Sequence, residues 1–89
     1  MLIPVYTKQF ERDVKRVMKR KKNTEKLKLI IRSLVGLEAL DSIHKDHKLV
    51  GNWQDRRECH IESDWILIYK VEENRIIFER TGTHSDLYR

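Results

Sequence analysis

Residues 56–81 read RRECHIESDWILIYKVEENRIIFERT, and this stretch decides the fold. Three strand-forming runs are separated by two short polar breaks. Trp65 to Val71 is apolar on both faces in its middle, as a strand with neighbours on both sides must be. Arg56 to Glu62 before it is half polar, and Arg75 to Thr81 follows a turn at Glu73-Asn74. Connections this short exclude the long crossover that parallel strands need. The three runs therefore predict an antiparallel meander.

Working outward, Leu2 to Tyr6 predicts a short strand, and Pro4, with no N–H to give a ladder, suits an edge or a strand start. Thr7 is a good N-cap. From Lys8 to Lys22 the apolar residues Phe10, Val14, Val17 and Met18 fall on one helical stripe. The cations Lys19-Arg20-Lys21-Lys22 suit the negative end of that helix's dipole. Asn23 or Thr24 caps a second helix with Leu27, Ile30, Ile31, Leu34 and Val35 on its buried face, and Gly36 fits its stop. Residues 37–55 are the least regular part, with Asp41, Gly51 and Asn52 as turn formers. The order strand–helix–helix–strand–strand–strand predicts an α+β fold, with the two N-terminal helices packed on one face of an antiparallel sheet.

A chain of 89 residues makes one domain, 1–89. Its charge is unevenly spread. Residues 1–35 carry eleven Lys or Arg against Glu11, Asp13 and Glu25, whereas residues 36–89 are net acidic. The first half is thus a basic lobe suited to a polyanion or an acidic protein partner, or simply a solvated helix surface. Cys59 is the one cysteine, so no internal disulfide forms and a reducing compartment is expected. No signal-peptide pattern opens the chain. The longest apolar run, Trp65 to Tyr69, is far too short to span a membrane. A cytoplasmic location follows as the expectation, with no membrane partner.

The four histidines, His44, His47, His60 and His84, all lie in the C-terminal half. Histidine exchanges protons near neutral pH. His47 falls in the loop before the sheet, His60 in a strand, Asp64 in the turn after it, and His84 just past the last strand, near Arg80. Strand ends and adjoining loops can bring these residues to one side of a sheet. Cleavage of RNA by its own 2′-hydroxyl needs a base for the 2′-OH proton, an acid for the leaving 5′-oxygen, and a cation for the phosphorane. Histidines, an aspartate and an arginine supply all three without a metal. Each residue taken singly also has a structural reading: a satisfied strand histidine, a turn aspartate, or an arginine paired with Glu58, Glu62 or Glu79. His44, His47, Cys59, His60 and His84 also contain possible zinc ligands, but at a spacing that matches no standard finger. Trp53, Trp65, Tyr69 and Phe78 read as core, and Tyr88 as freer to stack on a base.

Several blocks together resemble the YafQ branch of the RelE toxin superfamily. They are Lys45-Asp46-His47-x-Leu49, Gly51-x-Trp53, Arg57-Glu58-Cys59-His60, Asp64-Trp65-Ile66-Leu67-Ile68-Tyr69, and Phe78-x-Arg80-Thr81-Gly82-Thr83-His84, with Tyr6-x-x-x-Phe10-x-x-Asp13-x-Lys15 near the start. The resemblance implies a compact α+β fold and the toxin half of a type II toxin–antitoxin pair. It implies an endoribonuclease that cuts mRNA in the ribosomal A site against small-subunit rRNA, with no cofactor. It implies a DinJ-like antitoxin that blocks the toxin, the pair reaching operator DNA only as a complex. It places function on His47, His60, Asp64 and His84, with His84 as general acid, Asp64, His47 or His60 as base, and Arg80 on the phosphate. Tyr88 stands where the family usually has Phe, and Ser63 where Pro is common. His44 matches no family position and reads as surface. The cluster Lys19, Arg20, Lys21 and Lys22 becomes a candidate docking site for ribosomal RNA. The alternative is a non-catalytic RNA- or protein-binding module on the same fold.

Overall fold

The computed structural model describes residues 1–88. The elements are β1 (Ile3–Tyr6), α1 (Lys8–Lys19), α2 (Thr24–Val35), a 3₁₀ turn (Ser42–His44), β2 (His47–Lys48), a second 3₁₀ turn (Gly51–Trp53), β3 (Arg57–Glu62), β4 (Trp65–Glu72), β5 (Arg75–Gly82) and α3 (His84–Leu87). The sheet order is β1-β5-β4-β3-β2. The central meander β3-β4-β5 is antiparallel, as its short connections require. The edges differ from expectation. β1 runs parallel to β5, pairing Ile3 with Arg75 through Tyr6 with Phe78, so the sheet is mixed. The chain leaves β1 directly into the helical hairpin. That long crossover permits a parallel pairing which the meander cannot make. At the other edge, two residues of the loop reading, His47 and Lys48, pair with Glu58 and Arg57 as β2.

Both helices begin where the caps predict. The Thr7 side chain accepts from Phe10 N at 3.0 Å and that of Asn23 from Glu25 N at 3.0 Å. Their ends correct the sequence reading. α1 stops at Lys19 rather than Lys22, because Lys21 turns left-handed (φ 61°) and its N–H, with that of Lys22, closes back on Met18 and Val17 carbonyls. This is the two-bond closure of a Schellman motif. In α2 the same closure puts Leu37, not Gly36, in the left-handed position (φ 61°), while Gly36 stays at φ −79°.

The sheet separates two apolar clusters. On the helix side, Phe10, Val17, Leu27, Ile30 and Leu34 pack on Cys59, Trp65, Leu67, Tyr69, Ile76 and Phe78. Each fully buried side chain of this kind is worth about 1.5–3 kcal/mol. On the other face Ile66 and Ile68 are covered by Leu87, with Leu49 and Trp53 packed beside them. Strand alternation thus leaves Ile66 and Ile68 for a separate, smaller cover, and that cover includes the tail.

One charged residue sits in the helix-side stripe. Asp13 is fully buried on α1 between Phe10 and Val17. It accepts from Gln9 at 3.1 Å, Arg16 at 2.6 Å, Arg80 Nε at 2.7 Å and the Thr81 N–H at 3.1 Å. Thr81 in turn takes the Trp65 indole N–H at 2.9 Å and gives its hydroxyl to the Ile66 carbonyl at 2.8 Å. Asp13 thereby stitches α1 to the end of β5 with every buried oxygen satisfied. Met18, expected on the same stripe, is instead 57% exposed.

Candidate active site

The site is delivered by register. His60 pairs with Ile66, and Ile66 pairs with Gly82, so these three residues form one row across β3, β4 and β5. The β3–β4 turn carrying Asp64 and the start of α3 carrying His84 therefore emerge at the same end of the sheet. Asp64 Oδ1 accepts from the His84 backbone N–H at 3.0 Å and faces His84 Nδ1 at 2.6 Å. These two bonds, the backbone one foremost, hold the Asp64 carboxyl below its usual range. An ionised Asp64 fixes the His84 proton on Nδ1 and leaves Nε2 as the working nitrogen. Both side chains are open to solvent, His84 at 51%.

The turn of α3 is held from both sides. Thr83 caps it through Asp86 N at 3.1 Å, and Asp86 Oδ2 returns a bond from Thr83 N at 2.9 Å, completing a capping box. Arg20 grips the same carboxylate at 2.6 and 3.1 Å, and Arg16 reaches it at 3.3 Å. The Arg20 guanidinium leads the effects that push the Asp86 carboxyl far below its ordinary range. Gly82 is needed here, since a Cβ would lie 2.8 Å from Asp86 Oδ2 and 3.0 Å from its Cβ.

The His60 and His84 rings meet edge to face, with centroids 5.6 Å apart. His60 Nε2 lies 3.3 Å from Glu58 Oε2, and His47 Nε2 lies 3.1 Å from the same oxygen. The other Glu58 oxygen accepts the Tyr88 hydroxyl at 2.5 Å. The Tyr88 ring stands edge-on to Trp53 at 6.1 Å and beside His84 at 6.2 Å. His47, His60, Asp64, His84 and Tyr88 therefore form one continuous constellation. His47 is steadied by its neighbours. Lys45 is left-handed (φ 49°) and its carbonyl accepts from His47 Nδ1 at 2.6 Å, while Asp46 is gripped by the Tyr69 hydroxyl at 2.6 Å and Arg57 at 3.3 Å.

The remaining candidates are placed differently. Arg80 pairs with Asp13, not with Glu58, Glu62 or Glu79, and two of its three nitrogens face that carboxylate. A β-bulge leaves Glu79 without a ladder partner on β4 between Phe78 and Arg80 and re-aims this part of the strand. Tyr88 is not loose in a tail but bonded to Glu58 and 36% exposed. The basic cluster is divided. Arg20 is held by Asp86 and Lys22 by Glu62 at 3.2 Å, whereas Lys19 and Lys21 form no ion pair among the described residues. His44 is half-buried rather than a surface residue, and its Nδ1 donates to the His60 carbonyl at 2.7 Å. Cys59 points into the helix-side core, its thiol pushed up to about 12 first by burial, while His60, one residue on along the strand, turns to the opposite face. The zinc ligand set considered from sequence is thus not assembled.

Sequence reasoning missed Glu58 and Asp13. Glu58 shares the period-two face of His60, which is a signal that a second polar group accompanies the histidine. Asp13 is an acidic residue inside an otherwise apolar helical stripe, which signals a buried partner.

The chain matches, over residues 3–89, the family model for YafQ, a bacterial toxin of type II toxin–antitoxin systems. The chain belongs to the YafQ family. It is 44% identical over 84 residues to the mRNA interferase toxin YafQ of Escherichia coli strain K12, covering 93% of this chain and 91% of that one. The crystal structure of YafQ from E. coli BL21(DE3) superposes with a TM-score of 0.95 at 40% identity, with both chains fully covered. YafQ in the E. coli DinJ–YafQ complex gives a TM-score of 0.92 at 41% identity, again with both chains fully covered. Membership of the YafQ family accounts for the shared α+β fold. Among the described residues no helix is long and apolar enough to cross a membrane.

Proposed function

We propose that this chain is the toxin of a type II toxin–antitoxin pair and an endoribonuclease that cuts mRNA on the ribosome. The observation that carries the reading is the Asp64–His84 dyad, closed at 2.6 Å, edge to face with His60. In this mechanism a base removes the proton of an RNA 2′-hydroxyl. The oxygen attacks the adjacent phosphorus, and the bond from phosphorus to the 5′-oxygen breaks. His84, protonated at Nε2, gives its proton to that departing oxygen. The products are a 2′,3′-cyclic phosphate and a 5′-hydroxyl, and the steps use no metal. Because Asp64 is engaged with His84 through both contacts of one oxygen, it acts as the orienting carboxylate. The base is then an imidazole, His47 or His60. Arg80, aimed by Asp13, supplies positive charge beside the row of His60, Ile66 and Gly82.

Ribosomal RNA is a dense polyanion, and Lys19 and Lys21 are the members of the cationic cluster left to dock on it. The partner that blocks the toxin is a DinJ-like antitoxin, by analogy with the E. coli complex. The single domain and cytoplasmic location expected from sequence belong to the same reading.

The test is to map RNA ends on translating ribosomes. Wild type should leave 5′-hydroxyl ends, and a 2′-O-methyl group at the cut site should abolish cleavage. His84→Ala should lower the rate about 10²–10⁴-fold with the fold intact. Cleavage that survives His84→Ala, or that tolerates the 2′-O-methyl group, would sink the mechanism. Loss of ribosome binding on Lys19→Ala/Lys21→Ala, with full activity in His84→Ala, would favour the non-catalytic binding module instead.

A further inference from the structure

We propose that Glu58 is the positioning residue of this site: its carboxylate fixes which nitrogen of His60 serves as the base, and the Tyr88 hydroxyl sets how strongly it does so. The inference rests on the endonuclease reading above, since it concerns the protons used there.

Hydrogen-bond bookkeeping carries the argument. The Glu58 side chain is only 9% exposed, and two imidazoles and one phenol converge on it. His47 Nδ1 faces a backbone carbonyl, which can only accept, so that nitrogen carries a proton. Its Nε2 lies 3.1 Å from Glu58 Oε2, within ion-pair reach of the carboxylate. With Nδ1 as the donor, the lone pair of the neutral His47 ring sits on Nε2, beside the Glu58 carboxylate. His60 differs. Its Nε2 donates to the same oxygen at 3.3 Å, so in the neutral ring the lone pair sits on Nδ1. One carboxylate thus lies against the lone-pair nitrogen of His47 and takes the proton-bearing nitrogen of His60, which presents His60 Nδ1 as the base.

The surroundings leave Glu58 little else to bond. From β2 it faces His47, from its own strand His60, and from the tail Tyr88. Across the ladder on β4 stands Ile68, which is apolar. The nearby cations are engaged elsewhere: Arg56 with Glu79 at 2.9 Å, Arg57 with Asp46 at 3.3 Å and Lys70 with Glu72 at 3.4 Å. Among the described residues no Lys or Arg forms an ion pair with Glu58. Burial, and then the bond to Glu58, hold the Tyr88 phenol above its usual range, so it remains a donor through neutral pH. A donor spreads the carboxylate's charge and weakens its hold on the two rings.

The test uses two variants of the full chain whose effects carry opposite signs. Glu58→Gln keeps the shape, removes the charge and eases deprotonation of the base. It should lower kcat about tenfold to a hundredfold with KM within about threefold, and should move the acid limb of the pH–rate profile to lower pH. Tyr88→Phe keeps the ring and removes the donor, so the acid limb should move to higher pH. Glu58→Asp retains the charge and should hold the limb on the wild-type side of Glu58→Gln. Limbs that move in the same direction, or a kcat that falls only in step with the folded fraction, would overturn the proposal. Nitrogen NMR of the rings in the free chain, with no RNA present, supplies the independent arm. In wild type the neutral His60 ring should carry its proton on Nε2, and in Glu58→Gln that preference should be lost. If wild type cuts no RNA, the endonuclease reading fails while the ring signals still decide the role of Glu58. If wild type cuts and the ring signals do not respond to Glu58→Gln, this inference fails alone.

Discussion

Two carboxylates organise this molecule, and they differ in what surrounds them. Asp13 is fully buried and meets two arginines, a glutamine amide and a backbone N–H, all groups whose protons are fixed at any working pH. Glu58 is nearly as enclosed but meets two imidazoles and a phenol, groups whose protons move. A carboxylate among permanent donors is a fastener, and its charge is spent on holding α1 to β5. The same group among titratable partners sits where protons can be handed on. Removing one partner of a buried charge leaves the others uncompensated, so the two positions should fail in different ways.

The largest expected contrast follows from that difference. Asp13→Ala should cost about 3–5 kcal/mol, because it strands Arg80 and the buried Thr81 N–H, and should be read as a lowered denaturant midpoint. The slope of that transition should be unchanged if the two-state fold survives. Glu58→Gln should move the midpoint far less while changing the pH profile. If the two variants lose stability equally, the division into fastener and proton-handling carboxylate is wrong.

A second contrast separates both hubs from two more open acids. Asp64 and Glu62 have carboxyls held below their usual range, Asp64 chiefly by the His84 backbone N–H and Glu62 chiefly by the Lys26 and Lys22 ammonium groups. A lowered folded pKa means that the contribution is complete above the unfolded value of about 4 and disappears as pH falls through the folded one. Stability attributable to these pairs should therefore be flat from neutral down to about pH 4 and decline below it. Thermal melts followed across that range check the sign, and a decline already complete at pH 5 would contradict it.

The smallest expected effect lies at the end of α2. Leu37→Gly relieves a left-handed leucine and should stabilise by roughly 0.5–1 kcal/mol, less whatever chain entropy glycine adds. A net loss in the melt would show that Leu37 contributes packing that its 66% exposure does not suggest.

Much of the fold was legible because it is periodic. The double-sided apolar run around Ile66, Leu67 and Ile68 marks the central strand, and Leu27, Ile30 and Leu34 mark one helix face. What was not legible depends on partners far away in sequence. The parallel seating of β1 on β5 has no local signature, since nothing between Ile3 and Tyr6 encodes which edge it joins. Gly36 looked like the left-handed stop, yet the closing bonds fell one residue later, on Leu37. In the candidate site, His47, His60, Asp64 and His84 were singled out as types and by resemblance, and their convergence came from the row of His60, Ile66 and Gly82 across three strands. Glu58 and Asp13 escaped because an acidic residue reads as surface until its burial is seen.

The single turn of α3 carries a last consequence. A helix of four residues cannot persist by itself, so His84 stays in place only while Leu87 rests on Ile66 and Ile68 and Arg20 keeps its grip on Asp86. The sheet has no such dependence on the tail for its larger core. Undocking this segment therefore dismantles the dyad at a small fraction of the cost of unfolding. Disarming the molecule requires prising away one short peg, with the framework left standing.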